Sequence, residues 1–295
     1  MLARFFSFVT VCLTTMGLPG AAGIGLQQVA TAFELPAEST QCVVGLADGW
    51  SNSHATLGFY EKRAGVWTRV GEPWPARLGK NGLVWGLGMQ PVPAGANTKR
   101  EGDFLAPAGV FHIGGVWGYA PSIRKHPQLY YHTVTSRDLW IEDPASPDYN
   151  KHVALDHEPA TPWEKKQQMR QDDPAHALML FIAYNAPPKA VPNAGSSIFF
   201  HIWRADGGKP TAGCTTMAEA KLRELIGRLD PARKPVYVLL PQAEYAKHRV
   251  ASCPELESNR HALGFCYCAR QVRGAHCRGR QRYRAMPTAL VSTQQ

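Results

Sequence analysis

Residues 195–217 read GSSIFFHIWRADGGKPTAGCTTM, and this stretch decides the fold. The run from Ser197 to Trp203 is almost wholly apolar, which predicts a strand that is buried on both faces. A loop follows over Arg204–Gly213, and its three glycines indicate tight turns. The sequence therefore places a buried strand before the loop and Cys214 directly after it.

A helix is predicted next along the chain. Thr216 and Glu219 have the spacing of a capping box, in which each side chain satisfies the backbone N–H of the other residue. Leucine and isoleucine then recur at helical spacing until Asp230-Pro231 ends the pattern. A helix that begins beside Cys214 would place partial positive charge near the sulfur and lower the pKa of its thiol.

His201 and Cys214 form a candidate base and nucleophile. His201 lies at the end of the predicted strand, and the connecting loop is long enough to fold back and set the imidazole against the thiol. Such a pair supports acyl transfer. From spacing, two other interpretations stay open, because a histidine in an apolar strand can be structural and a cysteine in an exported protein can be disulfide-bonded.

The rest of the chain is mostly predicted as strands joined by loops. Residues 90–108 and 120–175 are rich in polar and turn-forming residues, and the second range is a long insertion. The expected fold class is mainly β (α+β), with one helix after Cys214 and a short cysteine-rich tail. The other predicted strands are Gln41–Leu46, Ala55–Lys62, Val66–Val70, Val110–Ile113, His176–Tyr184 and Pro235–Pro241.

The first 23 residues predict an export signal. Arg4 precedes an apolar run from Phe5 to Leu13, and small residues follow as far as Gly23. The alternative is an uncleaved anchor or a buried helix, and no later stretch is long and apolar enough to cross a bilayer. We expect residues 1–23 to be a signal peptide, 24–248 the main domain and 249–295 a tail, and we expect the protein to be exported.

The tail is basic and rich in cysteine. After Glu257 it has no acidic residue and seven arginines, which supply most of the net charge of +9. This composition favours a polyanionic partner, either anionic lipid or an anionic surface polymer, or is simply a solvated tail, and the export signal argues against nucleic acid. Its four cysteines could form two disulfides or bind zinc with His276, and Cys42 could pair with one of them. They are Cys253, Cys266, Cys268 and Cys277.

Several separated motifs resemble the L,D-transpeptidase (YkuD-like) catalytic domain family. GSSIFFHIWR over 195–204 and TAGCTTM over 211–217 resemble its signature, an early histidine followed by Ser/Thr-x-Gly-Cys. The segments Lys99–Asp103, Pro107–Phe111 and Asp143–Asn150 are also similar to one branch of the family, in the same order. The resemblance extends over residues 40–245.

This resemblance implies a β-sandwich and a cysteine enzyme that acts on the stem peptides of peptidoglycan. It implies that Cys214 is the nucleophile and His201 the base, with Gly213 and the N–H of Cys214 at the oxyanion hole. Thr211 occupies the Ser/Thr position of the signature. The implied reaction forms a thioester, releases D-alanine and passes the acyl group to an amine of a second stem, with no cofactor and no metal.

Two positions depart from the family pattern. Many members carry His or Trp before the glycine and Arg two residues after the cysteine, where this chain has Ala212 and Thr216. Because that arginine is missing, we expect Arg204 to bind the substrate carboxylate. Hydrolysis of the same thioester, by a carboxypeptidase or endopeptidase, and a non-catalytic cell-wall-binding protein are the alternative functions.

Overall fold

The computed structural model describes residues 35–247 and is mainly β over that range. Its helices are α1 (Pro162–Gln167), α2 (Glu219–Arg228) and α3 (Gln242–Lys247). Its strands are β1 (Gln41–Ala47), β2 (His54–Arg63), β3 (Val66–Arg69), β4 (Trp74–Arg77), β5 (Leu83–Trp85), β6 (Ala106–Gly118), β7 (Tyr131–Thr133), β8 (Asp138–Trp140), β9 (His152–Ala154), β10 (Leu178–Ile182), β11 (Phe199–Ile202), β12 (Thr215–Met217) and β13 (Val236–Pro241).

One mixed sheet of eleven strands forms the framework. Its order is β1-β13-β6-β10-β11-β12-β4-β2-β3, and β5 and β7 attach to β6. Because β1 pairs with β2 as well as with β13, the sheet closes on itself. The mainly β class is confirmed, but the pairing gives one closed sheet rather than the two packed sheets of the expected sandwich. The β8–β9 hairpin is separate from this sheet.

Successive side chains of β11 face two different apolar clusters. Phe200 is buried in the main core, whereas Phe199 packs on the opposite face. Because side chains alternate along a strand, a continuous apolar run requires cover on both faces. We call the cluster on the second face the outer aromatic cluster. It consists of Trp117, Val134, Trp140, Met169, Met179, Phe181 and Phe199.

The predicted strands are present with small shifts of their ends. The hairpin between β2 and β3 has the expected turn, where Arg63 pairs with Val66 around Ala64 and Gly65. Both turn residues have positive φ, 48° and 81°, as the tightest hairpin turns require. The strand predicted at Val110–Ile113 is the middle of the much longer β6, which pairs with both β10 and β13.

The predicted start of the helix is wrong. Thr216 belongs to β12, where it pairs with His201 of β11 and its hydroxyl donates to the Arg77 carbonyl at 3.5 Å. Helix α2 begins at Glu219 after Ala218, which makes no side-chain cap. The backbone of residues 215–217 is engaged in the sheet, and this pairing prevails over the local capping signal.

The insertion predicted as loops holds ordered elements that cover the outer aromatic cluster. It contains β7, β8, β9 and α1. At the start of α1, Thr161 and Glu164 form a reciprocal capping box. This is the motif that the sequence predicted at Thr216 and Glu219, where it is absent. The insertion therefore supplies one wall of any cleft that opens on this face of β11.

None of the helices in residues 35–247 is long and apolar enough to cross a membrane. The predicted signal peptide, over 1–23, and the cysteine-rich tail, over 249–295, lie outside the described residues. Disulfides or zinc ligation within the tail therefore remain predictions from the sequence.

Candidate active site

Cys214 and His201 line the same cleft, which has a volume of about 390 Å³, at the parallel pair of strands β11 and β12. His201 is in β11, and Cys214 directly precedes β12. The backbone N–H of Phe199 points to the sulfur at 3.5 Å, and the thiol donates to the Ser197 carbonyl at 3.4 Å. The structure thus brings the two predicted residues together, with the thiol directed at Ser197 rather than at His201.

The turn before Cys214 is held by the side chain of Thr211. Its hydroxyl donates to the Cys214 carbonyl at 2.7 Å and accepts the Gly213 N–H at 3.0 Å. Gly213 has a φ of 152°, and a Cβ there would lie 3.0 Å from the Leu105 carbonyl oxygen. A side chain at this position would be strained and crowded, so the glycine is required by the turn.

His201 is buried, with an oriented and neutral ring. Its Nδ1–H donates to the Ile202 carbonyl at 2.9 Å, which leaves Nε2 as the basic nitrogen. Its pKa is lowered to about 3, mainly by burial and to a smaller extent by the neighbouring His176 and Arg204, while the carbonyls of Ile202 and Ala175 oppose the shift. The group that orients His201, which sequence could not identify, is therefore a backbone carbonyl.

The predicted effect of a helix terminus on Cys214 is absent. The residues after it form β12, and α2 starts only at Glu219. The pKa of the Cys214 thiol is raised to about 11, mainly by burial and to a smaller extent by the nearby Glu142 carboxylate. The Phe199 N–H and the charges of Lys99 and Arg204 act in the opposite direction without offsetting burial. In this structure the thiol is protonated at neutral pH.

Arg204 reaches the cleft but is already paired. Its Nε donates to Asp173 Oδ2 at 2.8 Å, and a second nitrogen of the guanidinium contacts the same oxygen. Asp173 also precedes the single turn of 3₁₀-helix Pro174–His176, and the ring of His176 lies 5.0 Å from that of His201. Arg204 therefore helps to position the residues beside the base.

Charged residues that sequence reasoning did not select surround the thiol. Lys99 is almost fully buried, contacts Asp103 at 2.6 Å and lies near Gly213. Glu142 lines the cleft, where desolvation of its carboxyl group raises its pKa despite a hydrogen bond from Ser197. Lys166 of α1 also faces the cleft. Charges of both signs are thus available to a zwitterionic ligand.

The separated motifs of the sequence meet beside this cleft. The Tyr149 hydroxyl donates to Glu101 Oε2 at 2.5 Å. Asn150 accepts from Trp140 Nε1 and from the backbone N–H of Ser197, each at 2.9 Å. The segments Lys99–Asp103 and Asp143–Asn150 therefore buttress the loop that precedes β11. Their shared location gives a structural reason for their appearing together in the sequence.

A second cluster of ionisable side chains lies away from the cleft. It consists of His132, Asp138 and His152, whose ligand atoms lie within 4.8 Å of one another. None of the three lines the cleft around Cys214. Among residues 35–247 this group alone has the composition and spacing to hold a metal ion.

The model of the L,D-transpeptidase catalytic domain family, YkuD, matches residues 53–238, which is more than half of the chain. No curated protein matches the sequence. Among solved structures, the chain is similar to Bd1075 of Bdellovibrio bacteriovorus at 12% identity and a TM-score of 0.33. That similarity covers 71% of this chain and 53% of Bd1075, so the chain spans about half the length of that protein. On the family match, the chain belongs to the L,D-transpeptidase (YkuD) catalytic domain family.

Proposed function

We propose that the protein is an L,D-transpeptidase that cross-links the stem peptides of peptidoglycan through a thioester on Cys214. The observation that carries the proposal is the parallel pairing of β11 with β12, which sets a thiol and a neutral imidazole in one cleft. A nucleophile, an oriented base and an adjacent cleft are the arrangement that acyl transfer needs.

The reaction proceeds in two halves. His201 Nε2 takes the proton of Cys214 while the sulfur attacks the carbonyl carbon of the donor stem. The bond to the terminal D-alanine breaks, and the imidazolium returns the proton to the departing amine. The amine of a second stem then attacks the thioester, loses a proton to His201 and releases the sulfur, which recovers that proton.

Substrate binding must prepare the pair for this transfer. In the resting state both groups are neutral, because burial raises the pKa of Cys214 and lowers that of His201. The thiol also donates to Ser197 and must turn toward the imidazole before it reacts. Catalytic hydrogen bonds commonly tighten only in the substrate complex, so this geometry is compatible with the proposal.

The oxyanion is assigned to the backbone N–H of Cys214. Gly213 is predicted to lie at the oxyanion hole as well, but its own N–H donates to the Thr211 hydroxyl. The role of Gly213 is instead to permit the turn before Cys214, where a side chain would crowd Leu105, Ile198 and Lys99. Thr211 fixes the turn that presents the Cys214 N–H, and it does not itself contact the substrate in this account.

The substrate carboxylate is assigned to Arg204, which faces the cleft beside His201. Its pairing with Asp173 holds the guanidinium in place, and its remaining N–H groups are the donors offered to the ligand. The signal over 1–23 would deliver the enzyme to the periplasm or cell wall, and the basic tail over 249–295 would hold it to an anionic polymer.

A product assay with a purified disaccharide-tetrapeptide tests this function. Cross-linked dimers that are absent with Cys214→Ala support transpeptidation. Tripeptide without dimers means that water resolves the thioester, and the enzyme is then a carboxypeptidase. Binding of cell wall with no turnover of either kind would identify a non-catalytic wall-binding protein and overturn the proposal.

A further inference from the structure

Two imidazoles and one carboxylate converge on a point in the insertion, outside the cleft of Cys214. His132 Nε2 lies 2.6 Å from Asp138 Oδ1, and His152 Nε2 lies 2.7 Å from the same oxygen. The three side chains come from β7, β8 and β9, so each belongs to a different strand. A single carboxylate oxygen, Asp138 Oδ1, thus contacts the Nε2 atoms of both imidazole rings.

The carboxylate is buried without a permanent cationic partner. Asp138 is 2% exposed, and among the described residues no lysine or arginine pairs with it. Its second oxygen, Oδ2, accepts from the backbone N–H and the hydroxyl of Thr135, each at 2.7 Å. A buried carboxylate is costly unless its charge is balanced, and here the balancing groups are two histidines.

The surroundings fix the two rings and leave one side open. His132 is stacked against Tyr130 with an interplanar angle of 6°, and His152 contacts the edge of Trp117. The side chains of His132 and His152 are 29% and 17% exposed. The two rings are therefore packed against aromatic neighbours, and both keep some access to solvent.

We propose that His132, Asp138 and His152 bind a divalent transition metal ion, with zinc as the best match. Two imidazole nitrogens and one carboxylate oxygen are a donor set that zinc prefers, and a water can complete the tetrahedron. Binding would replace the two short hydrogen bonds with metal–ligand bonds of about 2.0–2.2 Å. Each ring would bind through Nε2 as the tautomer that carries its proton on Nδ1, and a ring protonated on both nitrogens would release one proton to solvent.

Thr135 has the role of an outer-shell residue in this site. Its hydroxyl and N–H hold Asp138 Oδ2, which orients Oδ1 toward the two imidazoles. Contacts of this kind commonly change metal affinity by about 10–100-fold when they are removed. The orientation of the Asp138 carboxylate is therefore fixed by Thr135 before any metal ion binds.

The ion would tie the strands of the insertion together and thereby support one wall of the cleft. His152 pairs with Trp140 across the β8–β9 hairpin. Trp140 contacts Phe199 at 4.7 Å between ring centroids and lines the cleft, and the backbone N–H of Phe199 points to the sulfur of Cys214. The site is structural in this account, and it does not take part in the chemistry.

The test is metal binding by the full-length chain, measured by equilibrium dialysis with zinc and by the absorption spectrum with cobalt(II). We expect one equivalent of zinc that Asp138→Asn and His132→Gln each abolish, and a weaker site, by about 10–100-fold, in Thr135→Val. Cobalt should give visible d–d bands without a thiolate charge-transfer band. His157→Gln is the matched control, since His157 also contacts two carboxylates, those of Asp156 and Glu164, but through opposite ring nitrogens.

Other results would overturn the proposal. A thiolate band in the cobalt spectrum, or zinc binding that persists in Asp138→Asn, would place the ion at cysteines instead. If the ligand variants fail to fold, the wild-type chain still decides the matter. Zinc should raise its Tm, a chelator should reverse the rise, and the absence of bound zinc in the folded wild-type protein would contradict the site.

Discussion

The hydroxyl of Thr211 donates a 2.7 Å hydrogen bond to the carbonyl oxygen of Cys214, three residues further along the chain. The same hydroxyl accepts the buried N–H of Gly213, so one side chain fixes the whole turn before the nucleophile. The position of the sulfur therefore depends on this turn and on the pairing of β12 with β11, and not on a helix terminus.

Thr211→Val should impair catalysis by loosening this turn. The buried Gly213 N–H would lose its acceptor, which costs about 1–3 kcal/mol, and displacement of the thiol should lower kcat/KM roughly 10-fold or more. Thr211→Ser keeps the hydroxyl and should retain most of the activity. Equal activity in the valine and serine variants would show that the turn does not depend on this side chain.

The thiol of Cys214 should react slowly with iodoacetamide at neutral pH. Its pKa is raised to about 11 by burial, so little thiolate is present in the resting enzyme. Alkylation measured by peptide mapping should accelerate as the pH rises toward 11, whereas in denaturant the rise should centre near the usual thiol value of 9. A rate that is already at its plateau at pH 7 would mean that the thiolate is preformed.

Stability should fall at acid pH because His201 cannot take up a proton in the folded state. The pKa of His201 is about 3 in the folded state and 6.5 in the unfolded state. Between these pH values His201 is therefore protonated only when the chain is unfolded. The free energy of unfolding should therefore decrease as the pH drops from 6.5 toward 3, by about 1.4 kcal/mol per pH unit from this residue. Above pH 6.5 this contribution has no pH dependence.

His201→Gln is the control for that measurement, using chemical denaturation at several pH values. The difference between wild type and variant isolates the histidine from other titrating groups. We expect the variant to lose less stability than the wild type between pH 6.5 and pH 3. Parallel curves for the two proteins would show that His201 ionises normally in the folded state.

Arg204→Ala should weaken substrate binding while the protein stays folded. Loss of a charge-assisted hydrogen bond of about 1.5–3 kcal/mol corresponds to a rise in KM of roughly 10-fold or more. The matched control is Arg137→Ala. Arg137 forms an exposed pair with Glu158 and does not line the cleft, so this variant should leave KM unchanged. An unchanged KM in Arg204→Ala would remove this arginine from the substrate site.

Thr161→Ala should destabilise the protein by about 1 kcal/mol, because Thr161 caps α1 with a reciprocal contact to Glu164. Glu219→Gln should change stability by less than about 0.5 kcal/mol, since Glu219 makes only an exposed pair with Arg223. Denaturant titrations of both variants measure the difference. The reverse order of the two effects would restore the helix start that the sequence suggested.

The sequence predicted the strand–loop–cysteine unit well because its signals are local. The apolar run of β11, the glycines of the loop and the pair His201 and Cys214 all lie within one short stretch. The same local reasoning was wrong at Thr216, because pairing with β11 is a long-range contact that a capping pattern does not reveal. Because the helix begins later than predicted, the expected lowering of the Cys214 pKa by a helix terminus does not occur.

The residues that the sequence did not reveal meet only in the folded chain. Lys99 belongs to a segment that the family resemblance includes, but neither Lys99 nor Glu142 was predicted to reach the cleft, because no spacing pattern joins them to Cys214. His132, Asp138 and His152 are spread over an insertion whose polar composition indicated loops. The sequence does contain a signal for α1, because Thr161 and Glu164 have the spacing of a capping box.

The most direct test of the central claim is intact mass spectrometry of the enzyme after brief incubation with disaccharide-tetrapeptide. Our account predicts a covalent adduct of the donor minus D-alanine, located on Cys214, absent in Cys214→Ala and strongly reduced in His201→Gln. An enzyme that turns over the substrate without such an adduct, or an adduct that persists in Cys214→Ala, would contradict it.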